Sequence, residues 1–434
     1  EAFMCDTFVA LESATADRSV ILAKSADCQI NEAHALFHLP RQKHVSGESI
    51  KTTYALIPQA PETYEVILSK SFWTYGAEIG INEYGLAIGN EAVFTTLQNE
   101  EKTDGIIGID FLRLALERST NCRQAIDLIG SLLEAYGQGG NCELEGYMHF
   151  DINYLMADPK EAWILETAGR KWAARQVDSL GSISNAFILE KDWDLCSVPA
   201  APEKINWAEM YGDAEFIPKL GARERQCSSY NQLAAARGKV TVKTMFDILR
   251  DHGDKTDPVE GDALTVICAH AGPPEYRLWQ ATGAMVARLD GEDIMGWFTG
   301  TSGTCLSIFK PIFMGVDLPD IGPVPVERYD PKSLWWKHER LHRRAMADFE
   351  TLMPEIRSDF DQVEAGFLAE ASSVLHASPH LKREFTEYCF RKADYETSKW
   401  IEHLEKMDLK FKDPAVREMW KKYNAMAALS GMPA

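Results

Sequence analysis

The sequence is poor in the features that tie a chain to an oxidising, metal-rich or membrane setting. Its nine cysteines are an odd number and contain no Cys-x-x-Cys pair. That argues against a disulfide framework and fits reduced thiols in a cytosolic setting. There is no Asn-x-Ser/Thr sequon. No apolar run is long enough to span a bilayer, and the first residues, Glu1-Ala-Phe-Met4, lack the basic start and apolar stretch of a secretory signal. These four residues read as a leader or remnant ahead of Cys5, with Met4 as the natural start. Basic residues are outnumbered, 45 Lys and Arg against 65 Asp and Glu, for a formal net charge of −20. An excess of this size disfavours nucleic acid and anionic membrane as partners. The Gly-rich Gly137-Gln-Gly-Gly140 lacks the Lys-Ser/Thr of a phosphate-binding loop, so no nucleotide cofactor is expected.

What is present begins at Cys5. In Cys5–Leu11, Thr7, Val9 and Leu11 alternate with Asp6, Phe8 and Ala10, as in a strand. Polar residues around Asp17 turn the chain, and Val20–Ala23 reads as the returning strand, followed by Lys24-Ser-Ala-Asp27. A cysteine freed from Met4 would carry a thiol and an α-amine on one residue. The amine, with an ordinary pKa of about 7.7–8.0, can act as base for its own thiol. Taken alone, Cys5 is more simply a packed strand residue.

The surrounding text decides between these readings. Cys5-Asp-Thr-Phe-Val-Ala-Leu11, Lys24-Ser-Ala-Asp27, Trp73-Thr-Tyr-Gly-Ala-Glu-Ile-Gly-Ile-Asn-Glu-Tyr-Gly85, Ile88-Gly-Asn-Glu-Ala-Val-Phe94, Ala162-Trp-Ile-Leu-Glu-Thr-Ala-Gly169, Ile183-Ser-Asn185 and Thr299-Gly-Thr-Ser302 resemble, in order, the secernins and their microbial relatives, the cysteine-nucleophile dipeptidases. The resemblance spans most of residues 5–345. It places the chain among the N-terminal nucleophile hydrolases and implies an α+β fold, a four-layer αββα sandwich with the nucleophile opening a central strand.

The resemblance implies a catalytic set. Cys5 is the nucleophile, and Asp27 orients its amine. Lys24 fills the basic position beside the nucleophile, and Asn185 with Asn90 stabilises the oxyanion. Arg225 is the candidate for an active-site arginine, although a solvated arginine is the commoner case. Where the family usually has Asn before the aspartate, this chain reads Lys24-Ser25-Ala26-Asp27, which bears on positioning more than on class. The implied activity is hydrolysis of amide bonds in small peptides. An acylase or acyltransferase on other small amides, or a non-catalytic scaffold, are the alternatives.

Elsewhere, residues 104–137 read as two helices, with Thr120 capping the second. Thr265-Val-Ile-Cys268 reads as a core strand ending at His270, itself an expected structural histidine. Two histidine pairs invite a metal reading. His34 and His38, four apart, would share a helix face but lack a third ligand. His338-Glu-Arg-Leu-His342 matches the zincin signature, yet Arg340, Arg343 and Arg344 crowd it with cations. No metal is therefore expected. From about residue 327 charged and aromatic helices run to the end, a helical extension beyond a 5–326 core and a possible face for a homo-oligomer.

Overall fold

The computed structural model describes residues 4–97, 105–198, 204–254, 259, 263–273, 277–291 and 293–433. Residues 1–3 of the proposed leader lie outside them. Two antiparallel sheets dominate. The first consists of β1 (Cys5–Ala10), β2 (Val20–Gln29), β10 (Leu180–Ile183), β12 (Trp279–Asp290), β13 (Asp293–Phe298) and β14 (Lys310–Phe313), in the order β10-β1-β2-β12-β13-β14. The second holds β3 (His34–Leu39), β4 (Val66–Ser71), β5 (Ile79–Asn82), β6 (Ala87–Val93), β7 (Asp151–Ala157), β8 (Ala162–Ala168), β9 (Lys171–Gln176) and β11 (Leu195–Cys196), in the order β11-β9-β8-β7-β6-β5-β4-β3. The helices are α1 (Gly108–Arg118), α2 (Cys122–Tyr136), α3 (Trp207–Tyr211), α4 (Ala222–Ala235), α5 (Val242–Leu249), α6 (Leu334–Ala345), α7 (Phe349–Val374), α8 (Pro379–Leu404) and α9 (Pro414–Met426).

Strand alternation builds the layers. Val9, Leu22, Ala26, Ile79, Ile81, Leu155, Ile164 and Met285 form an apolar layer between the sheets. The opposite faces are also apolar, so each sheet is buried on both sides, as near-continuous hydrophobic strands require. Ile88, Ala92 and Met156 pack under Phe111, Leu112, Ile126 and Leu133 of α1 and α2. Phe8, Ala10 and Ile21 pack under Leu233 of α4 and Met245 and Phe246 of α5, in a core that continues into Ile356, Phe360, Ile401 and Trp420 of the carboxyl-terminal helices. The result is the four-layer αββα sandwich implied by the resemblance. The helices after residue 327 share a hydrophobic core with the six-stranded sheet.

Local signals agree with most of the sequence reading and correct some of it. The cap of α2 is Asn121, whose side chain accepts from the Gln124 N–H, not Thr120. Gly137, at φ 72°, ends that helix where a side chain would be strained. Residues 34–39 form a strand, so His34 and His38 share no helix face. His34 Nε2 lies 3.2 Å from Cys28 Sγ, whereas His38 Nε2 meets Glu65 at 2.9 Å. Thr265–Cys268 is not a strand: a 3-10 turn covers Ala263–Thr265 and the chain then runs irregularly. The helix Ala222–Ala235 includes both Arg223 and Arg225. Among the described residues no helix is long and apolar enough to cross a membrane.

Candidate active site

Cys5 is the first residue of β1, an interior strand between β10 and β2. It is paired with Ala26 of β2 and is 6% exposed. Alternation sends Cys5, Thr7 and Val9 toward the second sheet, and Asp6, Phe8 and Ala10 toward α4 and α5. Two polar groups therefore form, one on each face, joined through the backbone of Cys5.

On the inner face, Lys24 of β2 lies opposite Thr7. Its Nζ is 3.2 Å from Glu91 Oε1, an atom that also accepts from Thr7 Oγ1. All three side chains are buried. Gly89, next to Glu91, has no room for a side chain: a Cβ there would stand 2.6 Å from Thr7 Oγ1 and 3.1 Å from Lys24 Cδ. Burial works against charge on Lys24, yet the neighbouring Cys5 and Glu91 raise its pKa. Burial also pushes the Glu91 carboxyl up to about 7, against the pull of Lys24. Above that pH the two form a desolvated ion pair whose cation acts on the Cys5 sulfur. The thiol itself is pushed up to about 12 by burial, which Lys24 only partly offsets. Its Sγ accepts from the backbone N–H of Asp27 at 3.4 Å.

On the outer face, Arg225 of α4 is fully buried, and each of its nitrogens donates. Nε reaches Asp6 at 3.1 Å. Nη1 reaches the carbonyls of Leu220 and Leu264 at 2.6 and 2.7 Å. Nη2 reaches Ser184 Oγ at 3.0 Å and Asn185 Oδ1 at 2.6 Å. A guanidinium can only donate, which fixes the orientation of the Asn185 carboxamide. Asn185 Oδ1 also takes the Cys5 N–H at 2.8 Å, and Ser184 Oγ donates to the Cys5 carbonyl at 3.1 Å. Arg225 thus holds Ser184 and Asn185, which follow β10, and these clasp the backbone of Cys5. Burial raises the carboxyls of Asp6 and Asp27, and Arg225 opposes the rise in both.

The structure brings Cys5, Lys24, Asp27, Asn185 and Arg225 together but gives three of the six expected residues different contacts. Asn90 is the clearest correction. On β6 it alternates with Glu91, so its side chain faces the helix layer and its Nδ2 donates to the Ala77 carbonyl at 3.2 Å. The inward position beside it belongs to Glu91. Asn185 Nδ2 donates to the Ala92 carbonyl at 2.9 Å, leaving the oxygen as the atom that meets Cys5. Asp27 touches Cys5 through its backbone. Its carboxylate accepts from Ser25 Oγ at 3.3 Å and interacts electrostatically with Asp6, Arg225 and Arg277. Arg225 is the opposite of the solvated arginine. Asp6, Ser184, Glu91 and Arg277 went unnoticed in the sequence; the adjacency of Asp6 to Cys5 and of Glu91 to Asn90 was the only available signal. The zincin-like helix does not use its histidines as a pair: His338 meets Ser307 Oγ at 3.4 Å and His342 meets His270 at 3.2 Å.

Comparisons with known proteins find similarity, by sequence, in the amino-terminal part of the chain. The family model for peptidase family C69 matches residues 4–191. A protein named dipeptidase from Bifidobacterium longum (strain NCC 2705) is 26% identical over 199 residues, 40% of this chain and 35% of the relative. The match therefore spans about a third of that relative's length. Among solved structures, a conjugated bile acid hydrolase from Clostridium perfringens is similar with TM-score 0.45 and 13% identity, covering 71% of this chain and 92% of that one. A penicillin V acylase from Agrobacterium tumefaciens is similar with TM-score 0.41 and 12% identity, over 71% and 86%. With Cys5 at the head of its central strand, the amino-terminal part of this chain, residues 4–191, is similar to peptidase family C69.

Proposed function

We propose that the chain is a cysteine-nucleophile hydrolase of amide bonds in small peptides, a dipeptidase, active once the Met4–Cys5 bond has been cut. The observation that carries this reading is the environment of the Cys5 nitrogen. It lies 2.8 Å from an asparagine oxygen that Arg225 locks in place, at the head of an interior strand. In the chain as it stands, that nitrogen belongs to a peptide bond and cannot act as a base. The thiol beside it, pushed up to about 12, is neutral at physiological pH. Cutting the bond converts the nitrogen into an amine held by the same acceptor.

The chemistry then follows from atoms already in place. The amine takes the thiol proton, and the thiolate is stabilised by the Lys24 ammonium and the Asp27 N–H. Sulfur attacks the substrate carbonyl, forming a C–S bond. The C–N bond breaks as the ammonium returns its proton to the leaving nitrogen. Water, deprotonated by the amine, then cleaves the thioester, releasing the acid and restoring the thiol. Asp6, Ser184, Asn185 and Arg225 are positioning residues for Cys5.

The test pairs intact mass with activity on a chain whose first residue is Met4, with Cys5→Ala as control. Loss of Met4 together with Cys5-dependent cleavage of a dipeptide panel is the expected result. Cleavage confined to N-acyl amino acids would move the assignment to an acylase. A matured chain that turns over neither class overturns the catalytic reading.

A further inference from the structure

Four buried side chains, distant in sequence, converge on the outer side of the six-stranded sheet. His252 follows α5, Cys268 and His270 precede β12, and Cys305 sits in the one-turn helix Thr304–Leu306 between β13 and β14. One donor atom from each lies within 4.8 Å of the others. His270 Nε2 is 3.2 Å from His252 Nε2, 3.3 Å from Cys305 Sγ and 3.6 Å from Cys268 Sγ. A tetrahedral zinc with bonds of about 2.0–2.1 Å to nitrogen and about 2.3 Å to sulfur has N···N edges of about 3.3 Å and N···S edges of about 3.6 Å.

The surroundings prepare His270 as a ligand. Glu339 of α6 accepts from Arg343 Nε at 2.6 Å and from Ser302 Oγ, so it is a carboxylate that can only accept. It takes the Nδ1 proton of His342 at 3.0 Å. With its Nδ1 turned to Glu339, His342 presents Nε2 to His270 Nδ1, 3.2 Å away, so His270 Nδ1 is the donor of that contact. His270 Nε2 is left bare, aimed at His252 and the two sulfurs. A carboxylate–histidine chain behind a coordinating imidazole is how metal sites fix tautomer and ring angle. Gly303 completes the fit. Its φ is 62°, and a Cβ there would come within 2.8 Å of His342 Cδ2, so the loop carrying Cys305 can close on this histidine because residue 303 is glycine.

We propose that His252, Cys268, His270 and Cys305 form a Cys2His2 site for Zn²⁺. Four protein ligands fill the tetrahedron, which makes the site structural, with no open position for water or substrate. Binding releases two thiol protons to solvent and changes no oxidation state; two thiolates balance the dication, so a neutral complex is buried. The zincin-like helix serves the metal indirectly, through Glu339 and His342. The site ties three loops to α6. It also anchors Arg277, which donates to the His270 carbonyl at 2.7 Å and interacts with Asp27.

The full-length chain, expressed with zinc in the medium and desalted, is expected to carry one zinc per chain by elemental analysis. Co²⁺ exchanged into the site is expected to show tetrahedral d–d bands and thiolate-to-cobalt charge transfer. Cys268 and Cys305, mapped by mass spectrometry, are expected to alkylate at least tenfold faster after chelation. The Cys268→Ser and His252→Gln chains are expected to lose the metal, whereas Cys5→Ala keeps it. If those variants fail to fold, the wild-type stoichiometry, cobalt spectrum and thiol protection still decide the matter. A wild-type chain that binds neither Zn²⁺ nor Co²⁺ stoichiometrically, or that carries a Cys268–Cys305 disulfide in place of metal, overturns the proposal.

Discussion

Two buried polar clusters flank the six-stranded sheet, and they are built on opposite plans. Around Cys5 the charges neutralise one another: Lys24 with Glu91 inside, Arg225 with Asp6 outside. The residues come from strands and one helix, and hydrogen bonds link them to the Cys5 backbone. Around His270 the four converging groups are all electron-pair donors, carried by loops and a single helical turn, and the proposed Zn²⁺ would balance them. In the proposed function the first cluster is activated by cutting the Met4–Cys5 bond. The second is the proposed Zn²⁺ site. Desolvated charges are tolerated only where partners are supplied, and the two clusters differ in where the partner comes from.

The comparison is broken most directly at Cys5. Cys5→Ala is expected to reduce dipeptide kcat/KM to background, at least about a thousandfold in the matured chain, with folding unchanged by circular dichroism. A mutant within tenfold of wild type would remove Cys5 from the chemistry and leave the polar cluster purely structural.

Next in size is Arg225→Met. It strands Asp6 and frees Asn185 and Ser184, and is expected to cost about 3–5 kcal/mol in urea unfolding. Arg225→Lys cannot rebuild five hydrogen bonds with one ammonium and is expected to recover less than half of the loss. A loss under about 1 kcal/mol for Arg225→Met would show that the cluster is not under the strain of desolvation assigned to it.

The state of the thiol offers a subtler test. With Met4 attached, Cys5 is neutral and nearly closed off, whereas Cys227 is exposed. Iodoacetamide at pH 8 is expected to label Cys227 at least tenfold faster than Cys5. Removal of Met4 is expected to raise the Cys5 rate, because the new amine can accept its proton. Equal rates before and after removal would argue against a base created by cleavage.

A pH profile reads a further buried carboxyl. Glu166 of β8 accepts from the backbone N–H groups of Ile188, at 2.6 Å, and Leu189, and burial pushes its carboxyl up to about 8. Its unfolded value is about 4.3. Between these values the native state holds more protons than the unfolded one, so this residue's contribution to stability falls as pH rises from about 4.3 to 8. Glu166→Gln is expected to flatten that slope in urea titrations; an unchanged slope would mean the carboxylate is ionised throughout. The smallest effect belongs to the cap of α2: Asn121→Ala is expected to cost about 1 kcal/mol, and Thr120→Ala less, in the same unfolding assay.

The first strand was legible in the sequence because alternation is a local property: Asp6, Phe8 and Ala10 fall on one face whatever lies beyond. The helices of 108–136 were legible for the same reason, through apolar spacing. Asn90 was misjudged because resemblance marks a region to within a residue, while strand parity decides which of two neighbours points inward. Glu91 won that position. Thr265–Cys268 looked like a strand because a short apolar run carries no period of its own; among the described residues no strand pairs with it, and its residues are largely buried in irregular chain.

Arg225 and the His252, Cys268, His270 and Cys305 group show the deeper limit. Nothing near residue 225 says that its guanidinium meets Asp6, over two hundred residues earlier, and no spacing rule joins residues 252 and 305. The sequence by itself determined the strand at Cys5, the acidic balance and the likeness to a peptidase family, and through that resemblance it implied the αββα order. Periodicity, composition and ordered motifs are written along the chain, and each of these follows from them. Only the tertiary structure decided which side chains meet: that Glu91 and not Asn90 faces Lys24, that Asn185 presents its oxygen to Cys5, and that three loops deliver two thiols and two imidazoles to one point. Such meetings depend on sheet register and helix packing, which sum weak interactions over the whole chain and leave no mark at the residues they bring together.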